Sequence, residues 1–291
     1  MSVTPTTDAG RLSNLSCRAE VGTGAHIMTA GFVTGGARTS GAQTVLIRGS
    51  GPALGLAPFN LAGALPDPQL TLNDVSASAG TVVATDTGWG GAAQISSAAS
   101  AVGAFPWNPS SADSAVLRSL PPANYTAQIQ GASGDTGVAL VEVYDATPSG
   151  TYTPASPRLT NLSALIQVGT GANVVFAGFV VGGSTAKTVL IRASGPALGV
   201  VFGISGSLPD PQLTLTNVSA SPNAVITVNT GWGADPQVLA AIRSTGAFPW
   251  GSSATADSAV LVTLPPGNYT AGVAGVSGDT GLSLIELYEV P

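Results

Sequence analysis

The chain states most of its sequence twice. "SGPALG" occupies residues 50–55 and returns at 194–199, "TVLIR" stands at 44–48 and 188–192, and "LPDPQLTL" at 65–72 and 208–215. "GAFPW" follows at 103–107 and 246–250, and "SGDTG" at 133–137 and 277–281. No other feature restricts the fold so much. Whatever one copy folds into the other must match, and each copy is long enough to carry its own core. Arg11 opens the first copy and Arg158 the second. The organisation read from this is an N-terminal extended segment (1–10), a first repeat (11–145), a Pro/Thr/Ser linker (146–157) and a second repeat (158–291).

Within a copy, short β-branched runs are broken by Gly, Pro, Asn and Asp, the pattern of strands and turns. Strands are predicted near 12–21, 26–34, 43–49, 68–73, 80–85, 114–119, 123–131 and 137–144. The second copy matches near 159–168, 173–181, 187–193, 211–216, 223–228, 258–263, 267–275 and 281–288. Only 92–102 and 235–246 read as helical, the latter with Asp235 as N-cap and Pro236 in the first helical position. The expected fold is all-β: two tandem antiparallel β-sandwich domains, jelly-roll-like, produced by internal duplication. "SGPALG" reads as a structural turn closing a strand. It lacks the G-x-G-x-x-G spacing and the Lys-Ser/Thr pair of a phosphate loop, and no amphipathic helix is expected after it.

Composition then narrows function. Only 8% of the residues are charged, against 44% hydrophobic, and the net charge is −6. A typical soluble domain carries about 25% charged residues, so this surface is built from Thr, Ser, Asn, Gly and Ala. Such a chain suits a secreted, assembled or cell-surface protein. Lys187 is the only lysine, which argues against nucleic acid as a partner. No apolar run approaches the about 18 residues of a membrane span. The start "MSVTPTTDAG" has no signal-peptide pattern, which leaves a removed export signal or an intracellular protein, and the sparse charge favours removal. Cys17 is alone and reads as a buried, inert thiol.

Catalytic chemistry is hard to find. His26 is the only histidine, and Asn173 stands at its place in the second copy, so a catalytic triad or a histidine metal site is unsupported. Acids do recur, as Asp67/Asp210, Asp113/Asp257, Asp135/Asp279 and Glu142/Glu286. Paired carboxylates could hydrolyse glycosides. Their contexts are turn contexts, however, and aromatics are only 5% of the chain. The chain is read as no enzyme and as needing no cofactor. Structural calcium is the one metal considered, with "TDTGWGG" (85–91) as the loop, although Asp86 becomes Asn229 in the second copy.

Two constellations remain. Arg48 alternates with Leu46, and Glu142 with Leu140 and Tyr144; Arg192 and Glu286 repeat both contexts. These patterns predict partly buried ion pairs, Arg48–Glu142 and Arg192–Glu286. Trp89, Trp107, Trp232 and Trp250 are either edge plugs beneath long loops or ligand-facing platforms for a polysaccharide. Asn14, Asn124, Asn161, Asn217 and Asn268 each open an N-x-[ST] triplet, the glycan acceptor pattern.

The string "RLxNLSxxxxVGTG…AGFVxGG…TVLIRxSGPALG…LPDPQLTL…GAFPW…DSAVLxxLPPxNYTAxxxGxSGDTGxxLxExY" resembles a tandem β-sandwich repeat module of large secreted and surface proteins of environmental bacteria. "LPPGNYTAGVAGVSGDTGLSLIELY" (264–288) is also similar to the bacterial pre-peptidase C-terminal domain. Both resemblances imply noncatalytic, extracellular, structural or adhesive roles. The linker "VYDATPSGTYTPASPRLTNLS" (143–163) is echoed by the first residues, and the last residues stop where that linker would begin. The expectation is therefore a noncatalytic extracellular or cell-surface structural protein. Its copies would form a filament or surface layer through head-to-tail contacts, with residues 1–10 lying on a sheet edge of the preceding subunit. The competing expectations are a carbohydrate-binding adhesion module and a fragment of a longer array.

Overall fold

The computed structural model describes residues 8–148, 150–171, 174–251 and 256–291. It is predominantly β, and its strands pair antiparallel. Residues cluster into two compact units, one comprising Asn14–Leu159 and the other Asp8–Ser13 with Thr160–Pro291.

In the first unit the strands are β1 (Arg11–Val21, of which Arg11–Ser13 cluster with the second unit), β2 (Met28–Gly35), β3 (Gln43–Ser50), β4 (Pro68–Asp74), β5 (Thr81–Asp86), β6 (Ser114–Leu120), β7 (Ala123–Gly131) and β8 (Gly137–Asp145), with one helix, α1 (Ala93–Ala101). They form two four-stranded ladders, β6-β3-β8-β1 and β2-β7-β4-β5. The second unit holds β9 (Arg158–Val168), β10 (Val175–Gly182), β11 (Lys187–Ser194), β12 (Pro211–Asn217), β13 (Ala224–Asn229), β14 (Ser258–Leu264), β15 (Gly267–Gly275) and β16 (Gly281–Glu289). Its helices are α2 (Pro196–Phe202) and α3 (Pro236–Thr245), and its ladders are β14-β11-β16-β9 and β10-β15-β12-β13.

Alternation explains most of the core. On β4, Leu70 and Leu72 are fully buried, and on β7 so are Ala127 and Ile129. β3 breaks the alternation: Val45, Leu46 and Ile47 are all fully buried. Such a run needs cover on both faces. Leu46 meets that demand by packing with Trp89, Ile95, Ala115 and Tyr144 beneath α1. Each unit thus has a second, outer core under its helix, formed in the other unit by Leu190, Trp232, Val238, Ile242, Trp250 and Tyr288.

Three details differ from the sequence reading. "SGPALG" is not a plain loop: Pro52–Gly55 makes a 3-10 turn, and Pro196 opens α2. Proline presets the first helical dihedral. In the first copy Pro58 stops any extension, because the residue before a proline avoids helical geometry. In the second copy "GVVF" continues until Gly203, which ends the helix at φ 70°. Secondly, β2 begins at Met28, because Gly24–His26 forms a 3-10 turn in which the His26 amide donates to the Thr23 carbonyl at 3.1 Å. Asn173, at the equivalent place, lies outside the described residues.

The third difference concerns the N-terminal segment. Residues 1–7 lie outside the described residues, but Asp8–Ser13 belong to the second unit of the same chain. The Ser184 amide donates to the Asp8 carbonyl at 2.8 Å, and the Gly10 amide to Thr185 Oγ1 at 2.8 Å. The Leu12 amide donates to Glu289 Oε1 at 2.9 Å, and Lys187 holds that carboxylate at 3.3 Å. A Cβ at Gly10 would collide with the Thr185 carbonyl oxygen. A segment expected to reach a neighbouring subunit is, over these residues, engaged within its own chain.

Candidate functional site

The outer core of the first unit is organised around Arg48. The register sets Arg48 of β3 opposite Glu142 of β8, with Leu46 opposite Tyr144. Arg48 Nη1 lies 3.3 Å from Glu142 Oε2, and the arginine is only 1% exposed. Its Nη2 donates to the Phe105 carbonyl at 2.8 Å, and its guanidinium sits 3.9 Å from the Trp107 ring centroid and 4.6 Å from that of Phe105. Glu142 also accepts from the Tyr144 hydroxyl at 2.6 Å and from Ser50 Oγ at 3.4 Å.

The second unit builds the same cluster. Arg192 Nε lies 3.4 Å from Glu286 Oε2, the Tyr288 hydroxyl donates to Glu286 Oε1 at 2.5 Å, and Arg192 Nη1 donates to the Phe248 carbonyl at 3.0 Å. Burial holds both glutamate carboxyls above the usual carboxylate range, against the pull of the arginine and the hydroxyl donors. Tyr144 and Tyr288 are pushed well above the ordinary phenol value, first by burial and then by the neighbouring glutamate.

Asp113, Asp257 and Asp67 bond within the scaffold. Asp113 Oδ1 accepts from the Gly51 and Ala53 amides at 2.7 and 3.3 Å, and Asp257 Oδ1 from Gly195 and Ala197 at the same two distances. This accounts for the repeated "SGPALG". The turn offers free amides at the start of a short helix, and the anion that takes them is the protein's own carboxylate. The glycine is needed for close approach, since a Cβ at Gly51 would collide with the Leu65 carbonyl, and one at Gly195 with that of Leu208. Asp67 accepts from Ser133 Oγ at 2.8 Å and so ties down the "SGDTG" turn.

In the calcium candidate loop, Asp86 Oδ2 accepts from the Ala115 and Gly88 amides at 2.9 and 3.3 Å. Neutral Asn229 takes the same two kinds of donor, Ala259 and Gly231, at 3.1 and 3.2 Å. A position served equally by an amide has no need of a cation for its shape. Among the described residues no group of three or more His, Cys, Asp or Glu side chains could hold a metal ion. His26 is exposed. Cys17 is fully buried, which pushes its thiol up to about 12.

The four tryptophans part company. Trp89, Trp232 and Trp250 are buried, the last donating from Nε1 to Ser194 Oγ at 3.0 Å. Trp107 is half-buried, and its Nε1 has no hydrogen-bond partner. Beside it a cavity of about 250 Å³ opens beneath α1, lined by Trp89, Trp107, Phe105, Ile95 and Ala99 among others. The sequence did not single out Ala99. Comparing the two helices position by position finds it, because Ile242 holds the same place in the second copy.

Among the described residues no helix is long and apolar enough to cross a membrane. Comparison with known protein families and with curated proteins returns no match.

Proposed function

We propose that the chain is a noncatalytic extracellular structural protein, the subunit of a filament or surface layer made from copies of itself. The observation that carries this reading is the state of two strand edges. Among the described residues β5 and β13 each end their strand order and pair on one side only. β5 exposes Val82 at 61%, and β13 exposes Val225 at 62% together with Ile226 and Val228. Neither strand carries a lysine or a proline, the usual devices that blunt an edge. The edge strands of the other ladders are treated differently: α1 packs beside β6 and α3 beside β14. Two open edges make a chain divalent, and head-to-tail pairing of one edge with the other propagates into a filament unless its rotation closes a ring.

Each unit is, in this reading, a jelly-roll-like antiparallel sandwich, and the pair arose by internal duplication, with repeats at 11–145 and 158–291 joined by the linker 146–157. Facing ladders are supported by Gly49 of β3, whose added Cβ would lie 2.7 Å from Ile129 Cδ1 of β7. Duplication is supported by ladders that pair alike in both units. Assembly through β5 and β13 replaces the N-terminal segment as the contact, since Asp8–Ser13 are already engaged. Sparse charge fits a surface meant to be covered by its own copies. So do the exposed apolar tips at Leu56 and Phe59 and at Val200 and Phe202.

The test is electron microscopy of the purified chain beside a Val82→Lys/Val225→Lys variant. The parent should form fibres or sheets and the variant should remain dispersed. A parent that stays monomeric when concentrated, or a variant that assembles equally well, would refute the reading.

A further inference from the structure

We infer that the cavity beneath α1 is a binding site for one neutral sugar ring, at a place where the second unit packs Ile242. A solvent-open hollow of about 250 Å³ that leaves Trp107 and Phe105 partly uncovered is an aromatic surface in need of a reason. The fold itself does not require it. On α3, Val238 and Ile242 are one turn apart and both buried against Trp232 and Trp250. On α1 the same two places hold Ile95 and Ala99, and the methyl of Ala99 stops short of what an isoleucine would occupy. Trp107 is left half-buried as a result, whereas Trp250 is buried.

The wall chemistry selects the ligand. Trp89 and Trp107 meet edge to face with centroids 5.8 Å apart, and Phe105 adds a third aromatic surface. Ser96 and Ser100, one helical turn apart and both exposed, put hydroxyls at the rim, where the second copy has Leu239 and Arg243. Arg48 is the only ionic group in the lining, and Glu142 already holds its charge, so nothing there favours an ion. A pyranose presents the matching pair of surfaces: C–H groups for the indoles and hydroxyls for the serines. The volume falls below the ~300–1,000 Å³ of drug-sized sites, which restricts the site to one ring rather than an oligomer. The ring comes either as a free monosaccharide or as the end of a glycan, and both share this chemistry. No residue lining the site belongs to β5 or β13, so either proposal can fail alone.

The experiment is saturation-transfer NMR with methyl glycosides of glucose, galactose, mannose and N-acetylglucosamine, the corresponding disaccharides, and phenol as an aromatic control. At least one glycoside should bind the parent. Ala99→Ile, which copies the second unit, should abolish that signal while the melting temperature is kept or raised. A Ser96→Ala/Ser100→Ala variant, which leaves the packing alone, should weaken binding about tenfold, the scale of one lost hydrogen bond. A disaccharide that binds more tightly than its methyl glycoside marks a glycan end as the source; equal affinity marks the free sugar. Binding that survives both variants would overturn the proposal, as would phenol binding with no glycoside signal, or no binding at about 50 mM, far above a millimolar dissociation constant.

Discussion

The two units keep the same buried polar skeleton and differ in what lies over it. Arg48, Glu142 and Tyr144 match Arg192, Glu286 and Tyr288 almost bond for bond, and Asp113 matches Asp257 to the same two distances. The helices above them diverge. α3 is capped by Asp235, whose Oδ1 accepts from the Gln237 amide at 2.7 Å, and ends on Gly246 at φ 72°. α1 starts at Ala92 with no side-chain cap, and Ile95 is its only buried residue. The difference teaches that the skeleton is a requirement of the fold, whereas the helix above it is free to vary. One copy has used that freedom to close its outer core, and the other to leave it open.

The largest expected effects test the shared half of this comparison. Arg48→Met and Arg192→Met should each cost about 3–5 kcal/mol, because each leaves a buried glutamate without its partner. Equal losses in urea unfolding would agree with a common skeleton. A variant that unfolds like the parent would show that the pair is dispensable.

The next effects should be unequal. Ile242→Ala should cost about 2–5 kcal/mol by opening a cavity in the second unit. Ala99→Ile, the reverse change at the matching place, should be neutral or stabilising. Calorimetry that finds Ala99→Ile as damaging as Ile242→Ala would mean the first unit has no room to fill. Smaller still, Asp235→Ala should cost about 1 kcal/mol through loss of the α3 cap. Ala92→Asp should give part of that amount to α1.

A pH titration probes the skeleton without mutation. Tyr144 and Tyr288 ionise in the folded protein well above the ordinary phenol value of about 10 that applies once the chain unfolds. Above that value the unfolded chain sheds protons that the folded one keeps, so stability should fall as the pH rises through 10 toward the folded values. Absorbance at the phenolate band should show these two tyrosines ionising together with unfolding. Phenolate from both in a protein that is still folded would contradict their burial.

How much of this was legible beforehand depended on distance along the chain. Strand periodicity is local, and the predicted β segments and the helices over 92–102 and 235–246 lie within a few residues of those observed. Alternation could set Arg48 beside Leu46 and Glu142 beside Tyr144 on apolar faces. It could not say that β3 lies against β8 in the register that opposes the two. Asp113 looked like a turn residue because its donors, the amides of Gly51 and Ala53, are remote in sequence. For the same reason residues 1–10 read as a segment reaching a neighbouring subunit, and Arg11 as the plain start of a repeat. Nothing within those residues reveals that Ser184, Thr185 and Glu289 await them. The cavity was legible in principle, in the Ala99-for-Ile242 exchange, but only once both helices were known to cover the same aromatic cluster.

The central claim is that β5 and β13 are the surfaces through which copies meet, and hydrogen exchange reads it most directly. Amides of 82–85 and 225–228 should exchange quickly in dilute protein and become protected when the protein is concentrated enough to assemble, while the remaining strands change little. If those amides exchange at the same rate in both samples, or if protection arises elsewhere, the account of assembly through open edges is wrong.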